Sequence, residues 1–394
     1  MRRVLLIACA AIFIDVAFFA AVTPLIPDYR DDLGISESAA GLLAGSYAFG
    51  TLVFAIPGGF ISAKIGPRKT MVIGLVGMGL SSLSFGLADS IGWLDVSRFV
   101  QGASGSMLWA GAISWVVITA RGDQRGALLG TVISAAVVGE LLGAPLGAVA
   151  FHVGTEYVFG AVAVAAAFLI GIALFTPEIG EIERQEPRES IRILRNSNVP
   201  SMAVLVAAPA LVFGAITILA PLRFDDLGAS PTVIAIAFAS GSLSEAIIGP
   251  LVGRYSDRSG HRLFPFLIGL CISIVAVLAI GLFETLAFIF GALVIAAVGA
   301  GLSFTPATTL LTESADANGM NQGFAAGISN VAWGGGQMIG SVGGGFLADA
   351  SGFLVPSVAV ALILAFVLYK SWSFELPPLP EQSPPTDSEV ELAA

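Results

Sequence analysis

Charge is scarce in this chain: of 394 residues only 12% are Asp, Glu, Lys or Arg, while 56% are hydrophobic. A soluble domain carries charge on about a quarter of its residues, so a water-covered globule is excluded and lipid must be the main solvent. Lysine occurs only as Lys64, Lys69 and Lys370, never after glycine. No Gly-x-x-x-x-Gly-Lys-Ser/Thr phosphate loop can be built from these, which argues against an ATP-driven pump. Histidine occurs only as His152 and His261, far apart, so a metal-dependent hydrolase is disfavoured and neither a metal site nor a cofactor is expected. Cys9 and Cys271 lie inside apolar stretches and supply no disulfide framework. A nucleic-acid partner is not expected either.

What is abundant is long apolar sequence. Runs such as 158–175 are continuous, whereas a membrane barrel would show short strands of alternating polarity. A bilayer core takes roughly 20 apolar residues per helix. Runs bounded by charge, Gly and Pro predict helices over 4–26, 38–62, 70–90, 93–119, 126–151, 155–175, 200–221, 232–252, 263–283, 286–311, 322–347 and 353–372. The first follows Arg2 and Arg3 but contains Asp15 and lacks a small-residue cleavage site, so it reads as a retained helix rather than a signal peptide. The expected architecture is an all-α membrane protein of about twelve helices in two six-helix bundles, 1–176 and 200–372. A cytoplasmic linker over 177–199 joins them, with room for a short helix on the membrane surface, and a disordered tail follows over 373–394.

The halves repeat. Pro27, Asp31, Asp32, Leu33, Gly34 and Ser36 recur at one constant offset as Pro221, Asp225, Asp226, Leu227, Gly228 and Ser230. A slightly larger offset carries Gly126, Gly130, Gly139, Gly143 and Gly147 onto Gly323, Gly327, Gly336, Gly340 and Gly344. Two related halves around a pseudo-two-fold axis along the membrane normal fit this pattern. Nearly all of the 18 basic residues fall on one side of the predicted bundle; Arg30 and Arg223 fall on the other, and Arg98 lies within a helix. The positive-inside rule then makes both termini cytoplasmic, as an even number of spans requires.

The loop after the second helix runs from Gly59 through Lys64, Gly66 and Arg68, with Ala63 and Pro67 among them. Its repeat runs from Gly253 through Asp257, Arg258, Gly260, His261 and Arg262. Here the chain resembles the major facilitator superfamily, whose signature is G-x-x-x-D-R/K-x-G-R/K-R/K. The second copy matches except at His261; the first departs further, with Ala63 in place of the acid. The resemblance implies a cytoplasmic latch that holds the halves together in an outward-open state. Arg98-Phe99-Val100-Gln101-Gly102 is similar to an R-x-x-x-G motif of proton-coupled members. Gly139, Gly143, Pro145 and Gly147 resemble the glycine-proline motif of the drug antiporter branch, although glycines at such spacings also serve close helix packing. With Asp15 and Pro24-Leu25-Ile26-Pro27-Asp28-Tyr29, these segments resemble drug:proton antiporters related to vesicular amine transporters, in which the helix 1 aspartate contacts a cationic amine.

The residues themselves carry part of that expectation. An ionised carboxylate at mid-membrane costs about 3 kcal/mol on insertion scales, so Asp15, Glu140 and Glu245 should face a wet cavity or a basic partner. Three such acids stand against one base, Arg98. The imbalance suits a cavity where protons and an organic cation compete for the same carboxylates. Phe18 and Phe19, about a turn from Asp15, and Trp109 are candidates to line it with cation–π faces. The function expected is a secondary active transporter in the plasma membrane, a proton-coupled efflux antiporter of small cationic or amphipathic molecules acting as a monomer. The alternatives are a uniporter or symporter of a sugar, metabolite or organic anion, and a non-transporting receptor on the same scaffold.

Overall fold

Proline placement decides how the first helix differs from its repeat. In the computed structural model, which describes residues 1–120, 124–177, 187–320 and 322–374, the first helix α1 (Arg2–Ala21) stops short of the predicted end. A 3-10 turn, Thr23–Leu25, separates it from α2 (Ile26–Leu33). Pro24 has no N–H to continue the helical ladder. The repeat offset places Ile218 at the corresponding position, and there α9 (Val199–Asp226) runs on without a break despite its own Pro209 and Pro221.

The remaining elements follow the apolar runs to within a few residues. They are α3 (Glu37–Ile65), α4 (Pro67–Gly86), α5 (Ile91–Thr119), α6 (Arg125–Val153) and α7 (Thr155–Leu174), then the short α8 (Pro187–Asn196) before α9. After α9 come α10 (Pro231–Ser259), α11 (Leu263–Leu282), α12 (Leu286–Ala317), α13 (Gln322–Ser351) and α14 (Leu354–Ser371). The described residues contain no strand. Eleven of the helical segments are long and apolar enough to cross a membrane. The twelfth, α13, falls below that apolarity because it is rich in glycine and carries Asn330 and Gln337, yet at 30 residues it is one of the longest helices. The short linker helix anticipated between the halves is α8, whose Ile193 and Leu194 rest on the core. Linker residues 178–186 and the tail 375–394 lie outside the described residues.

The repeat is visible in the backbone. Gly34 and Gly228, and Gly66 and Gly260, are related by the offset, and all four have positive φ (60°, 76°, 96° and 68°). These conformations are open to glycine at little cost, and each pair ends equivalent helices. Packing repeats as well. A Cβ on Gly139 or Gly143 would lie 2.6 Å from the carbonyl oxygens of Phe13 and Ala17 in α1, and one on Gly147 would lie 2.1 Å from that of Ala21. Their mates Gly336 and Gly340 would approach Ala207 and Leu211 of α9 at 2.3 Å. The glycines of α6 and α13 therefore allow backbone-to-backbone contact with α1 and α9, while Pro145 sits exposed on the far side of α6.

Candidate functional site

The halves meet along two seams. One is α3 against α13, from Gly41 beside Gly345 down to the Phe60–Phe324 ring contact. The other is α6 against α10, from His152 beside Thr232 (3.3 Å) to Glu140 at mid-depth, which accepts a hydrogen bond from Ser242 Oγ at 3.2 Å. Between the seams stands an aromatic cluster with members from both halves. Phe19 of α1 lies 4.5 Å from Tyr47 of α3, 6.0 Å from Phe213 of α9 and 6.1 Å from Trp333 of α13, centroid to centroid. The repeat offset carries Phe19 onto Phe213, so this stacked pair marks where the pseudo-two-fold axis passes.

Against the cluster lie the polar groups of the first half. Asp15 is fully buried and accepts a hydrogen bond from Trp109 Nε1 at 3.1 Å; its second oxygen has no partner. Arg98, 3% exposed, places its guanidinium carbon 5.3 Å from the Phe19 ring centre and 5.1 Å from that of Tyr47. Its Nη1 donates to Gln101 Oε1 at 2.6 Å. Gly102 explains how this comes about. A Cβ there would lie 1.9 Å from the Tyr47 carbonyl oxygen, and one on Gly50 would lie 2.1 Å from that of Phe99. The glycine of the R-x-x-x-G segment thus lets α3 close on α5, bringing the Tyr47 ring to Arg98. Gly105 leaves the room that the Asp15 carboxylate and the Tyr47 hydroxyl fill, 3.2 and 3.3 Å from where its Cβ would be.

Of the predicted site residues, Asp15, Arg98, Trp109 and Phe19 come together here. Phe18 does not: it is 1% exposed and packs against Phe85 and Phe159 inside the first half, because adjacent helical residues point about 100° apart. Glu140 and Glu245 form a separate group on the α6–α10 seam; Glu245 lies one turn beyond Ser242 and beside Gly301 of α12. Sequence reading missed Tyr47, Gln101, Phe213, Trp333 and Gln337. The repeat offsets held part of the signal, since they carry Phe19 onto Phe213 and Glu140 onto Gln337. Gln337 is 1% exposed with its side-chain oxygen unpartnered, as are the Gln101 amide nitrogen and Arg98 Nε. Two unpaired donors and two unpaired acceptors on buried side chains beside an aromatic wall are equipped to hold a small molecule with polar and planar parts.

At the loops of the signature, Arg68 Nη1 donates to the Thr176 carbonyl oxygen at 2.8 Å, Arg262 pairs with Glu313 of α12, and Lys64 and Arg258 are exposed. Gly59 is half-buried in α3, Gly253 packs near Thr305 of α12, and the Asp257 side chain lies outside the described residues. On the opposite face, Arg30 of α2 reaches across to α9, with Nη2 2.6 Å from Asp225 and Nη1 3.3 Å from Asp226, and Ser38 bonds Asp349. Arg30→Ala should loosen this closure. A charge-assisted contact of about 1.5 kcal/mol predicts roughly tenfold less disulfide trapping between Ser38→Cys and Asp349→Cys; unchanged trapping would show that Arg30 does not hold this face.

Two helical halves related by a sequence repeat, with a buried polar cluster where they meet, are the architecture shared by many secondary transporter folds. The chain belongs to the Major Facilitator Superfamily, whose family model matches residues 8–225 and 202–393. It is 28% identical over 370 residues to a chloramphenicol resistance protein of Streptomyces lividans, covering 87% of this chain and 90% of that one. To the quinolone resistance protein NorA of Staphylococcus aureus it is 22% identical over 253 residues, 63% and 65% of the two chains. To the MFS-type transporter ppzB of Metarhizium majus it is 27% identical over 175 residues, 43% of this chain; it spans about a third (36%) of that relative's length. Its fold matches a bacterial homologue of the lysosomal transporter Spinster in an inward-facing, occupied conformation (TM-score 0.78, 16% identity, 94% and 96% covered). It also matches a D-xylose-proton symporter (TM-score 0.77, 16% identity, 97% and 99% covered).

Proposed function

We propose that this transporter is a proton-coupled efflux antiporter of small organic cations or amphipathic molecules, working by alternating access as a monomer in the plasma membrane with both termini cytoplasmic. The observation that carries the reading is the buried, half-satisfied Asp15 carboxylate against an aromatic wall built by both halves. A carboxyl group in such a place holds either a proton or a cationic ligand, and the exchange of one for the other is the coupling. Relatives named for drug resistance, matched over much of the chain, support efflux, and the one-sided distribution of basic residues supports the orientation. Residues 1–176 and 200–372 act as the moving halves, with Arg30 closing one face across the halves and the signature loops lying at the other. Glu140 and Glu245 supply a second protonatable pair on the α6–α10 seam. Glu140→Gln should leave binding of a cation within about twofold and cut gradient-driven flux about tenfold, because the lost group takes part in coupling rather than in the binding site.

Proteoliposomes test the reading directly: an imposed pH gradient should drive accumulation of ethidium or tetraphenylphosphonium, and equal flux with and without the gradient would refute coupling. The unpaired amide groups of Gln101 and Gln337 favour a second reading, transport of a neutral polyhydroxy solute. Stabilisation by sugars and by no cation in a thermal-shift screen would select it.

A further inference from the structure

The aromatic faces best placed for a cationic ligand are already in use. Both Phe19 and Tyr47 lie within cation–π reach of Arg98, whose buried guanidinium sits beside the two rings where they meet. An arginine buried near a carboxylate ordinarily takes it as a bidentate partner. Here the described contacts include no Arg98–Asp15 ion pair: Asp15 is held by Trp109, and both Asp15 Oδ1 and Arg98 Nε are left without partners. The rings and the single bond to Gln101, not an ion pair, therefore hold the guanidinium where it is.

From this geometry we infer that Arg98 is a resident cation occupying the ligand position, and that a planar delocalised cation enters by displacing its guanidinium from the Phe19–Tyr47 pair. The inference rests on the cation-binding reading above and gives that reading a ligand class. The arriving group must stack as a guanidinium stacks and offer an N–H donor to Asp15 Oδ1, the unpaired acceptor that shares the space over Gly105 with the Tyr47 hydroxyl. Amidinium, guanidinium and aryl-ammonium groups meet both demands. A second full charge beside Arg98 would be repelled, so the two cations exclude each other. The site thereby stays filled between ligands, at the cost of part of the affinity that an empty aromatic pair would give.

Ethidium binding to the full-length protein in lipid nanodiscs tests this. Arg98→Ala should tighten binding about tenfold or more, the fold-change that a desolvated cation–π contact implies. In that variant, millimolar guanidinium chloride should compete with ethidium while urea does not, and wild type should show neither effect. Arg98→Lys keeps the charge but loses the planar stack, so it should also tighten binding, by a smaller factor; it serves equally if Arg98→Ala does not fold. Adding Phe19→Leu should abolish the guanidinium competition. Weaker or unchanged ethidium binding in Arg98→Lys and in whichever variants fold, or competition by urea equal to that by guanidinium, would overturn displacement. Those outcomes leave gradient-driven flux by wild type untouched. Conversely, wild type that binds ethidium without coupled flux refutes the antiport reading and not this one.

Discussion

Asp15→Asn is expected to abolish gradient-driven cation accumulation, lowering flux about a hundredfold, the equivalent of roughly 2.8 kcal/mol. Truncating one partner of a buried charge interaction costs about 2–5 kcal/mol, and the asparagine oxygen is still able to accept from Trp109 Nε1, so the helix packing around position 15 stays as it is. What is removed is the ability to hold a proton in one half-cycle and a positive charge in the other. Flux measured in proteoliposomes with and without an imposed pH gradient separates this from a binding defect: the variant should show the same low rate in both conditions. Retention of wild-type accumulation would remove Asp15 from the mechanism.

The second large effect concerns assembly. Gly102→Ala would place a methyl group 1.9 Å from the Tyr47 carbonyl oxygen, where the backbone of α3 has no side-chain freedom with which to yield. The helices must part, at a cost of about 3 kcal/mol or more, and the Tyr47 ring then withdraws from Arg98. Both thermal stability and cation binding should fall together. Gly171→Ala in α7 is the control: nothing lies within 4 Å of its added methyl group, and alanine is the better helix former, so stability should be unchanged or slightly higher. Equal behaviour of the two variants would show that the α3–α5 contact is not tight.

Helix number and order were legible in the sequence because a lipid solvent imposes continuous apolar runs, and each run became a helix, the first broken at Pro24. The repeat was equally legible, and the structure gives its physical content: Gly34 with Gly228 and Gly66 with Gly260 end equivalent helices, and Gly139 and Gly336 seat equivalent contacts. Asp15 and Arg98 stood out because ionisable groups are rare in such segments. Tyr47, Phe213 and Trp333 did not, since an aromatic residue in an apolar helix reads the same whether it faces lipid, core or cavity. Gln101 and Gln337, uncharged, gave a weaker signal than the acids. Phe18 and Phe19 show the limit most plainly: adjacent and identical in sequence, one belongs to the first half's core and the other to the junction of both halves.

The central claim is that a proton and a cationic ligand exclude each other at Asp15. Proton release on binding measures this directly, by adding ethidium to the detergent-solubilised protein in weakly buffered solution with a pH electrode. The account predicts release of about one proton per ligand bound in the pH range where the unliganded site is protonated, and its loss in Asp15→Asn. Saturable binding at every pH in that range with no proton released would contradict it.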